Sequence, residues 1–429
     1  MAQPTVESFQ PASYGELIHS NTNFRLIWFG QIVSLLGDWF DLIASASLVA
    51  LLTKSGEAVG GLFALRMLAP FLVSPLAGVF SDRYNRKRLL IGADLARGVI
   101  VLGFLLVRST EQVWLLYVLT AIQLAFSGFF FPARNAILPD VVNRRELGAA
   151  NAITSITWSV MLAIGAALGG LVSGQWGIYP AFVVDSLSFF LSAMFISRVA
   201  YEHKPAIEET VHTIASTLRQ YADGLRYLRN QIDIFVIALH KTAISLIVSG
   251  VFQVLQVAIA ERVYRIGEGG GTSMGLIYAA AGIGTGIGPV LVRRFTGDRE
   301  EPIRRALTLS YFIGALGLAV TAPLASFGLV LFGTFLRGFG GGINWMFSTQ
   351  LLLENTQDRV RGRVFSTEFA MFTLASAISA WVGGWALDHS GLGISGLLWL
   401  IAILLIIPGI LWMMWTFYGQ KSTPVQEEA

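Results

Sequence analysis

The chain has little charge and no cysteine. Of its 429 residues, 13% are Asp, Glu, Lys or Arg, about half the share found in soluble domains. A soluble protein of this length needs a polar surface, and this sequence has too few charged residues to form one. The absence of cysteine excludes disulfides, thiolate metal sites and cysteine nucleophiles. The net charge of +3 is small, so we expect no nucleic-acid partner.

The sequence also lacks the signatures of enzymes and cofactor sites. It contains no nucleophile–base set, no cluster of metal-ligating residues and no Walker A sequence. The alternating glycines between Gly282 and Gly288 lie in an apolar helical stretch with no strand before it, which excludes a nucleotide-binding loop. We therefore expect no enzymatic activity, no cofactor, no metal and no use of ATP as the energy source.

Long apolar runs fill the chain, which is 54% hydrophobic. A bilayer core about 30 Å thick is crossed by about 20 helical residues. Runs of this kind predict an all-α polytopic membrane protein, since a closed barrel needs short alternating strands. The first run is long enough to span and follows a polar segment, so we expect no cleavable signal peptide. The twelve predicted spans are 25–53, 58–80, 88–107, 112–132, 148–173, 179–198, 231–260, 273–292, 305–324, 327–352, 364–387 and 394–418.

The positions of Lys and Arg predict the orientation. With the N-terminus placed in the cytoplasm, 22 of the 30 Lys and Arg residues fall in cytoplasmic tails and loops, and four fall in outside loops. Membrane proteins carry this excess of positive residues on the cytoplasmic side. We therefore expect a multi-pass protein of a bacterial plasma (inner) membrane, with both termini cytoplasmic.

The longest connection divides the predicted spans into two groups of six. Its apolar residues Ile214, Leu218, Tyr221, Leu225 and Leu228 are spaced 4-3-4-3, which predicts an amphipathic helix on the membrane surface. The predicted organisation is a cytoplasmic tail (1–24), a six-helix bundle (25–198), a cytoplasmic amphipathic linker (199–230), a second six-helix bundle (231–418) and a second cytoplasmic tail (419–429).

The two groups of spans look like repeats. Gly61, Leu62 and Pro75 recur at one constant offset as Gly275, Leu276 and Pro289. Transporters are often built from such repeats, with a central site between the halves. An offset of 215 pairs Asp38 and Asp41 with Gln253 and Gln256, and an offset of 214 pairs Gln123 with Arg337.

The loop after the second span has the sequence GVFSDRYNRKR. Its carboxylate, Asp82, can accept hydrogen bonds from a neighbouring helix end or pair with an Arg, and so hold a gate closed. The alternative is an ordinary basic cytoplasmic loop. The residues that we predict to form the gating motif are Gly78, Asp82, Arg83, Arg86 and Lys87.

This loop resembles the signature between helices two and three of the major facilitator superfamily. Asn85 stands where that family usually has Gly, and we expect it to adopt the left-handed turn that Asn tolerates. The resemblance continues through FRLIWFGQIVSLLGDWF, PARNAILPDVV, DGLRYLRN and VRGRVFS. Together these segments resemble the drug:proton-antiporter branch that includes macrolide efflux proteins and enterobactin exporters. The resemblance implies two six-helix bundles around a central cavity that rock to give alternating access.

A small-residue motif lies in the fifth span, at Gly165, Gly169 and Gly170. It resembles the antiporter motif G-P-x2-G-G, with Ala166 in place of Pro. We expect these residues to allow close helix packing at an outer gate; generic small-residue packing is the alternative.

Charges inside the spans are the candidate proton-coupling and substrate residues, because each is costly in lipid. Asp38 and Asp41 are three residues apart and share a helix face, so we expect them to form a proton-carrying pair or a cation anchor. The alternative is structural pairing with Arg66 or Arg97. Asp94 and Arg97 are predicted to neutralise each other. The remaining candidates are Arg66, Asp185, His240 and Arg337, and also Lys241 and Glu368, which we expect to extend toward the membrane surface.

These features predict a secondary active transporter that exports a small amphipathic, drug-like compound, driven by protons. Its expected partners are a small-molecule substrate, protons and the lipid bilayer, and we expect a monomer. The alternatives are export of a siderophore or lysophospholipid, or a non-transporting membrane receptor or scaffold with the same fold. Short outside loops and buried paired carboxylates disfavour a receptor.

Overall fold

A computed structural model describes residues 12–201 and 214–418, which form fourteen α-helices and no strand. Two helices are short, α1 (Tyr14–Ser20) and α8 (Ile214–Asn230). The twelve long helices of this described part are α2 (Thr22–Thr53), α3 (Gly56–Arg83), α4 (Arg86–Gly103), α5 (Val113–Val141), α6 (Leu147–Gln175), α7 (Ile178–Ser197), α9 (Ile232–Val263), α10 (Gly271–Thr296), α11 (Glu300–Thr321), α12 (Phe327–Asn355), α13 (Asp358–His389) and α14 (Gly393–Tyr418). The all-α polytopic architecture predicted from the sequence is confirmed.

Each predicted span corresponds to one long helix. Within the described residues, eleven helices have the length and composition needed to cross a membrane, and α12 is not among them. Its middle contains Arg337, Asn344 and a run of glycines, which lower its mean hydropathy. A membrane helix can carry such residues where it faces neighbouring helices rather than lipid.

Polar side chains cap the first turns of several long helices. Asn21 accepts from the Phe24 N–H at the start of α2 (2.9 Å), and Ser55 accepts from the Ala58 N–H at the start of α3 (3.1 Å). Asn85 accepts from the Arg88 N–H at the start of α4 (3.1 Å). Asn85 has a φ of −60°, so the predicted left-handed turn is wrong. It is suited to this position as a helix cap.

The helices alternate in direction, so the connections fall on two sides. We call the side of the described chain ends the terminal side. It holds connections 84–85, 142–146, 297–299 and 356–357, together with α8. On the opposite side the connections are 54–55, 104–112, 176–177, 264–270, 322–326 and 390–392, none longer than nine residues.

The repeat is visible in the helix ends, but its offset is not constant. Helix α12 begins and ends at an offset of 214 from α5. Helix α9 begins and ends at an offset of only 210 from α2, because the connection after α9 is five residues longer than the one after α2. Counted from the helix ends, Val248 and Val251 correspond to Asp38 and Asp41, and the predicted pairing with Gln253 and Gln256 is wrong.

The linker helix α8 contacts both groups of long helices. Gly224 lies against Thr367 and the Arg363 carbonyl of α13, and the Tyr221 ring lies 6.3 Å from the Phe71 ring of α3. Leu228 is buried and Leu225 is half-exposed. The first part of the predicted linker, residues 202–213, lies outside the described residues, as do residues 1–11 and 419–429.

Candidate functional site

Four of the six long helices in the first group, α2, α3, α4 and α7, bring charged side chains together in their middle parts. Asp41 on α2 is fully buried and pairs with Arg66 on α3, with 2.8 Å between Oδ2 and Nη1. Arg66 is ten residues from the start of α3, about 15 Å along the helix. The structural alternative considered for Asp41, an ion pair with Arg66, is therefore present.

Arg97 on α4 is shared by two carboxylates. Its Nη2 lies 2.5 Å from Asp38 Oδ1, and its Nη1 lies 3.3 Å from Asp94 Oδ1. The guanidinium also stacks over the Phe189 ring of α7 at 3.8 Å. Asp94 and Arg97 do not form a closed pair, and Asp38 and Asp41 each face a different Arg rather than only each other.

Asp185 on α7 is fully buried beside the same cluster. Its carboxylate acts electrostatically on Asp38 and Asp41 as well as on both arginines. The Ser188 hydroxyl is 3.5 Å from Asp185 Oδ1, and Oδ2 has no hydrogen-bond partner among the described residues. We call Asp38, Asp41, Asp94 and Asp185, with Arg66 and Arg97, the acidic cluster.

The acidic cluster has more negative than positive groups. Four carboxylates lie with two guanidinium groups, and three of the four carboxylates are fully buried. Unpaired carboxylate charge is costly at such depth. A third guanidinium, that of Arg134, lines the small cavity beside Asp38. With all four acids ionised, these side chains carry one excess negative charge, which one bound proton or cation would balance.

Asp38 is the carboxylate of the cluster that water can reach. Its side chain is 29% exposed. A cavity of about 10 Å³ adjoins it, lined by Gln31, Ser34, Phe130 and Arg97 among others. That volume is about enough for one water molecule. A proton can therefore reach Asp38 more easily than the fully buried Asp41, Asp94 or Asp185.

The second group of helices has one buried ion pair within the described ranges, between α9 and α13. Lys241 Nζ lies 3.0 Å from Glu368 Oε1, and the two side chains are 7% and 3% exposed. Lys241 also lies over the Trp345 ring of α12 at 4.6 Å. The two residues were expected to extend toward the membrane surface, and this expectation is wrong because each satisfies the other inside the bundle.

His240 is buried next to this pair in an aromatic setting. Its Nδ1 lies 2.6 Å from the Tyr311 hydroxyl, and its ring packs edge-on to Trp412 at 4.4 Å. Its Nε2 has no hydrogen-bond partner in the described part of the chain. This arrangement fits a neutral histidine that supports packing.

Arg337 on α12 differs from the other buried arginines. No carboxylate pairs with it within the described ranges, and its Nε has no hydrogen-bond partner there. Its guanidinium lies over the Phe252 ring of α9 at 4.1 Å. Tyr278 on α10 lies within electrostatic range of both Arg337 and Arg66, and its ring contacts Trp39 of α2 edge-on at 5.3 Å. Arg337 therefore lies near the boundary between the two groups of helices.

The predicted gating motif spans the end of α3 and the start of α4. Arg86 Nη1 lies 2.7 Å from Asp140 Oδ2 at the end of α5 and donates to the Ala136 carbonyl at 3.0 Å. Lys87 is half-buried beside it. The side chains of Asp82 and Arg83, and the surroundings of Gly78, lie outside what the structure describes. The clasp role of Asp82 stays a prediction.

The second group has a related contact at the same side. Arg293 at the end of α10 donates to both oxygens of Asp298, at 3.0 Å each. These hydrogen bonds hold the pKa of Asp298 below its usual value. Gln350 of α12 donates to Asp298 at 3.4 Å and to Glu354 at 2.9 Å. Because the pKa is lowered, this contact is present at neutral pH and is lost only as strong acid protonates Asp298.

The predicted packing motif in α6 lies against α2 and, across the halves, against α10. A Cβ on Gly165 would lie 2.6 Å from Trp39 Cδ1, and one on Gly169 would lie 3.0 Å from the Trp39 carbonyl oxygen. A Cβ on Gly170 would lie 2.5 Å from Gly275 Cα. These backbones can approach so closely only because the residues lack side chains.

The halves touch on the opposite side and separate toward the terminal side. Along α10, Gly275 and Gly282 lie against α6, whereas Gly286 has nothing within 4 Å and Val290 is 74% exposed. Asp388 at the end of α13 caps α3 of the other half. It accepts from the Gly56 N–H at 2.8 Å and from the Glu57 N–H at 2.9 Å. Helices α6 and α10 therefore diverge toward the terminal side.

Three of these residues were missed by sequence reasoning. Asp140 lies in the quoted PARNAILPDVV segment, and its position after Pro139 at a helix end was a usable signal. Asp388 gave the weaker signal of an acid beside a short loop. Tyr278 was the one bulky polar side chain in the small-residue run from Gly275 to Gly288, and its role depends on contacts between helices.

Comparisons with known proteins agree with this architecture. The family model described as Major Facilitator Superfamily matches residues 27–367 and 271–429. Macrolide efflux protein A of Streptococcus pyogenes is 25% identical over 401 residues, covering 90% of this chain and 95% of that protein. The putative bacilysin exporter BacE of Bacillus amyloliquefaciens is 25% identical over 360 residues, covering 83% and 87%.

Solved structures show the same fold. The crystal structure of the nucleoside transporter NupG superposes with a TM-score of 0.71 and covers 92% of this chain and 99% of its own. The sequence identity is 12%, so this likeness concerns the fold alone.

Proposed function

Because this chain belongs to the Major Facilitator Superfamily, we propose that it exports a small amphipathic compound in exchange for protons. The chain is a multi-pass membrane transporter, and two relatives that match most of its length are named as an efflux protein and as a putative exporter. We propose the same direction here. We further propose a bacterial plasma membrane, with the terminal side in the cytoplasm, from the excess of Lys and Arg on that side.

The acidic cluster is the observation that carries the proton coupling. Its four carboxylates and two guanidinium groups lie together in the first half, and all of them are buried except for Asp38. Such a group of acids favours bound protons in a low-dielectric interior. Release of a proton from the cluster leaves a negative charge that Arg66 or Arg97 alone does not balance. The cost of that charge couples proton binding to the state of the transporter.

Asp38 is the residue that we propose as the exchanging group. It is the most exposed carboxylate of the cluster and adjoins a cavity that fits one water molecule. Asp41 is fully buried against Arg66, so we assign it a supporting role that holds the guanidinium in place. Asp185 is the next candidate carrier, because it forms no ion pair among the described residues, whereas Asp38, Asp41 and Asp94 each pair with an arginine.

Alternating access follows from the way the halves meet. Asp388 and the glycines of α3, α6, α10 and α13 join the halves on the opposite side. We propose that the divergence of α6 and α10 toward the terminal side marks the state that, in our orientation, accepts an export substrate from the cytoplasm. Arg86 and Asp140 already join α4 to α5 within the first half in this state, so we propose that Asp82, by family resemblance, holds the cytoplasmic ends together in the other state.

The test is transport by purified protein in proteoliposomes with and without an imposed pH gradient, using amphipathic fluorescent dyes as probes. We expect the wild type to move dye against its concentration gradient when protons flow the other way. Asp38→Asn should abolish this accumulation and retain gradient-free counterflow, because an amide resembles the protonated acid. Asp358→Asn is the matched control, since this carboxylate is 88% exposed at the start of α13.

Two outcomes would count against the proposal. Full proton-driven accumulation by Asp38→Asn would exclude Asp38 as the carrier and direct attention to Asp185. Absence of flux in the wild type, with dye binding retained, would favour a receptor or scaffold with this fold over a transporter.

A further inference from the structure

The centre of the molecule contains three polar groups that the proton-coupling scheme does not use. Arg337 has no carboxylate partner in the described structure, and its Nε has no hydrogen bond there. The Tyr278 hydroxyl and the Gln256 amide nitrogen are buried and likewise have no partner within hydrogen-bond distance among the described residues. Tyr278 is 8% exposed and Gln256 is 1% exposed.

These three groups lie close together. The side chain of Gln256 is near enough to interact with the Tyr278 hydroxyl, and Arg337 acts electrostatically on the same hydroxyl. Gln256 and Phe252 lie one helical turn apart on α9, and the Arg337 guanidinium lies over the Phe252 ring. Arg337 is therefore also close to this part of α9. Arg337 is ten residues from the start of α12, which places it about 15 Å along the helix, as Arg66 is along α3.

All three groups can donate hydrogen bonds. A guanidinium offers several N–H groups and cannot accept, the amide nitrogen donates, and the phenol donates through its O–H. A buried cation with no counter-ion is costly, and buried donors are normally paired. A negatively charged group with several acceptor oxygens would satisfy all of them, and a carboxylate matches the planar guanidinium.

The surroundings suit an amphipathic ligand. Phe252 lies under the guanidinium, and Tyr278 contacts the Trp39 ring from the other half. The acidic cluster lies in the facing half, and its Arg66 lies within electrostatic range of Tyr278. A molecule with an aromatic body would pack on these rings with its acid on the Arg337 side and any basic group on the acidic side.

We propose that Arg337, Tyr278 and Gln256 bind the carboxylate of the transported molecule, so that the substrates are amphipathic acids or zwitterions rather than simple cations. The identification of the bound molecule as a substrate rests on the proposed export function. The binding itself does not, and it can be measured without a proton gradient.

The first experiment compares acids with their methyl esters. The protein in nanodiscs would be titrated with tetramethylrhodamine and its methyl ester, and with fluorescein and its methyl ester, by fluorescence anisotropy. We expect each acid to bind at least about tenfold more tightly than its ester, since a hydrogen bond to a charged group is worth about one such factor or more. Equal or tighter binding of the esters, or no binding of either acid, would overturn the proposal.

Three variants test whether the preference for acids over esters depends on this site. Arg337→Gln should remove the preference for the acid. Tyr278→Phe should reduce it several-fold and keep the fold intact, because the ring is retained and the hydroxyl that it removes has only its proximity to Gln256 to lose. Arg304→Gln is the matched control, a buried arginine of the same half that pairs with Glu300 at the terminal-side end of α11, and it should keep the preference unchanged.

The outcomes separate this inference from the proposed function. If Arg337→Gln fails to fold, Tyr278→Phe decides the matter, and an unchanged preference in Tyr278→Phe overturns the inference. If the acid preference is present and depends on this site, but a pH gradient drives no transport, the carboxylate site stands and proton coupling fails.

Discussion

Lys241 and Glu368 form a buried ion pair whose contribution to stability can be tested by replacing one partner or both. Glu368→Gln leaves Lys241 charged and unpaired inside the bundle, and losing one partner of a buried pair costs about 3–5 kcal/mol. Replacing both, as in Lys241→Met with Glu368→Met, removes the stranded charge. We therefore expect the single variant to unfold at a clearly lower temperature than the double variant, measured on purified protein by thermal denaturation.

A matched control for this prediction is Arg305→Gln. Arg305 pairs with Glu301 at the surface, where the two side chains are 74% and 64% exposed, and an exposed pair contributes about 1 kcal/mol or less. If the double variant proves as unstable as Glu368→Gln, the pair contributes through contacts other than charge balance.

At the scale of single residues, the sequence predicts which charged side chains are buried, but it does not predict how they pair. Asp38, Asp41, Asp94 and Arg97 are identified as intramembrane residues by their position in apolar runs alone. The pairing of Asp41 with Arg66, and the sharing of Arg97 between Asp38 and Asp94, depend on the rotation of α2, α3 and α4 about their axes. Spacing along one helix reveals only the contact of Asp94 with Arg97.

At the scale of elements, the contact between α6 and α10 is a backbone-to-backbone contact. A Cβ on Gly170 would meet Gly275 Cα at 2.5 Å and the Gly271 carbonyl oxygen at 2.8 Å, and backbone atoms cannot move aside as a flexible side chain can. We expect Gly170→Ala to push the halves apart on the opposite side. A cysteine placed at the buried Ser173 should then react with a water-soluble maleimide, whereas the parent protein should protect it.

Gly286→Ala provides the comparison. This glycine lies in α10 as well, but nothing lies within 4 Å of the added Cβ, so the cysteine at 173 should stay protected. Equal protection of that cysteine in the Gly170→Ala protein would mean that the contact adjusts without opening the halves.

The sequence predicts the positions of the helices well. It predicts less well which residues of the second repeat correspond to which residues of the first. Apolar runs of sufficient length define eleven of the twelve long helices in the described residues, and the predicted span 327–352 also corresponds to a helix, α12, despite its charged Arg337. The offset between repeats depends on loop lengths, and the connection 264–270 is five residues longer than 54–55. Because of that difference, an offset taken from the sequence pairs Asp38 and Asp41 with glutamines, whereas the helix ends pair them with valines.

At the scale of the whole molecule, the orientation in the membrane can be tested directly, because the chain has no cysteine of its own. Single cysteines at Glu111 and Ser390 lie on the opposite side, and those at Asn85 and Asp298 lie on the terminal side. With the terminal side in the cytoplasm, an impermeant maleimide should label only the first two in intact cells.

Permeabilised cells serve as the control, in which all four cysteines should react. Labelling of Asn85→Cys or Asp298→Cys from outside intact cells would reverse the proposed orientation. Labelling of all four from outside would contradict the alternation of the helices.

The short connections on the opposite side limit what can recognise this protein from beyond the membrane. The longest of them has nine residues, and two of them have only two. An antibody, toxin or phage that binds a folded surface normally needs about 800 Å² from each partner, more than any one of these loops offers. A binder acting from that face would therefore have to contact several connections at once, so its binding would depend on how the two halves are arranged.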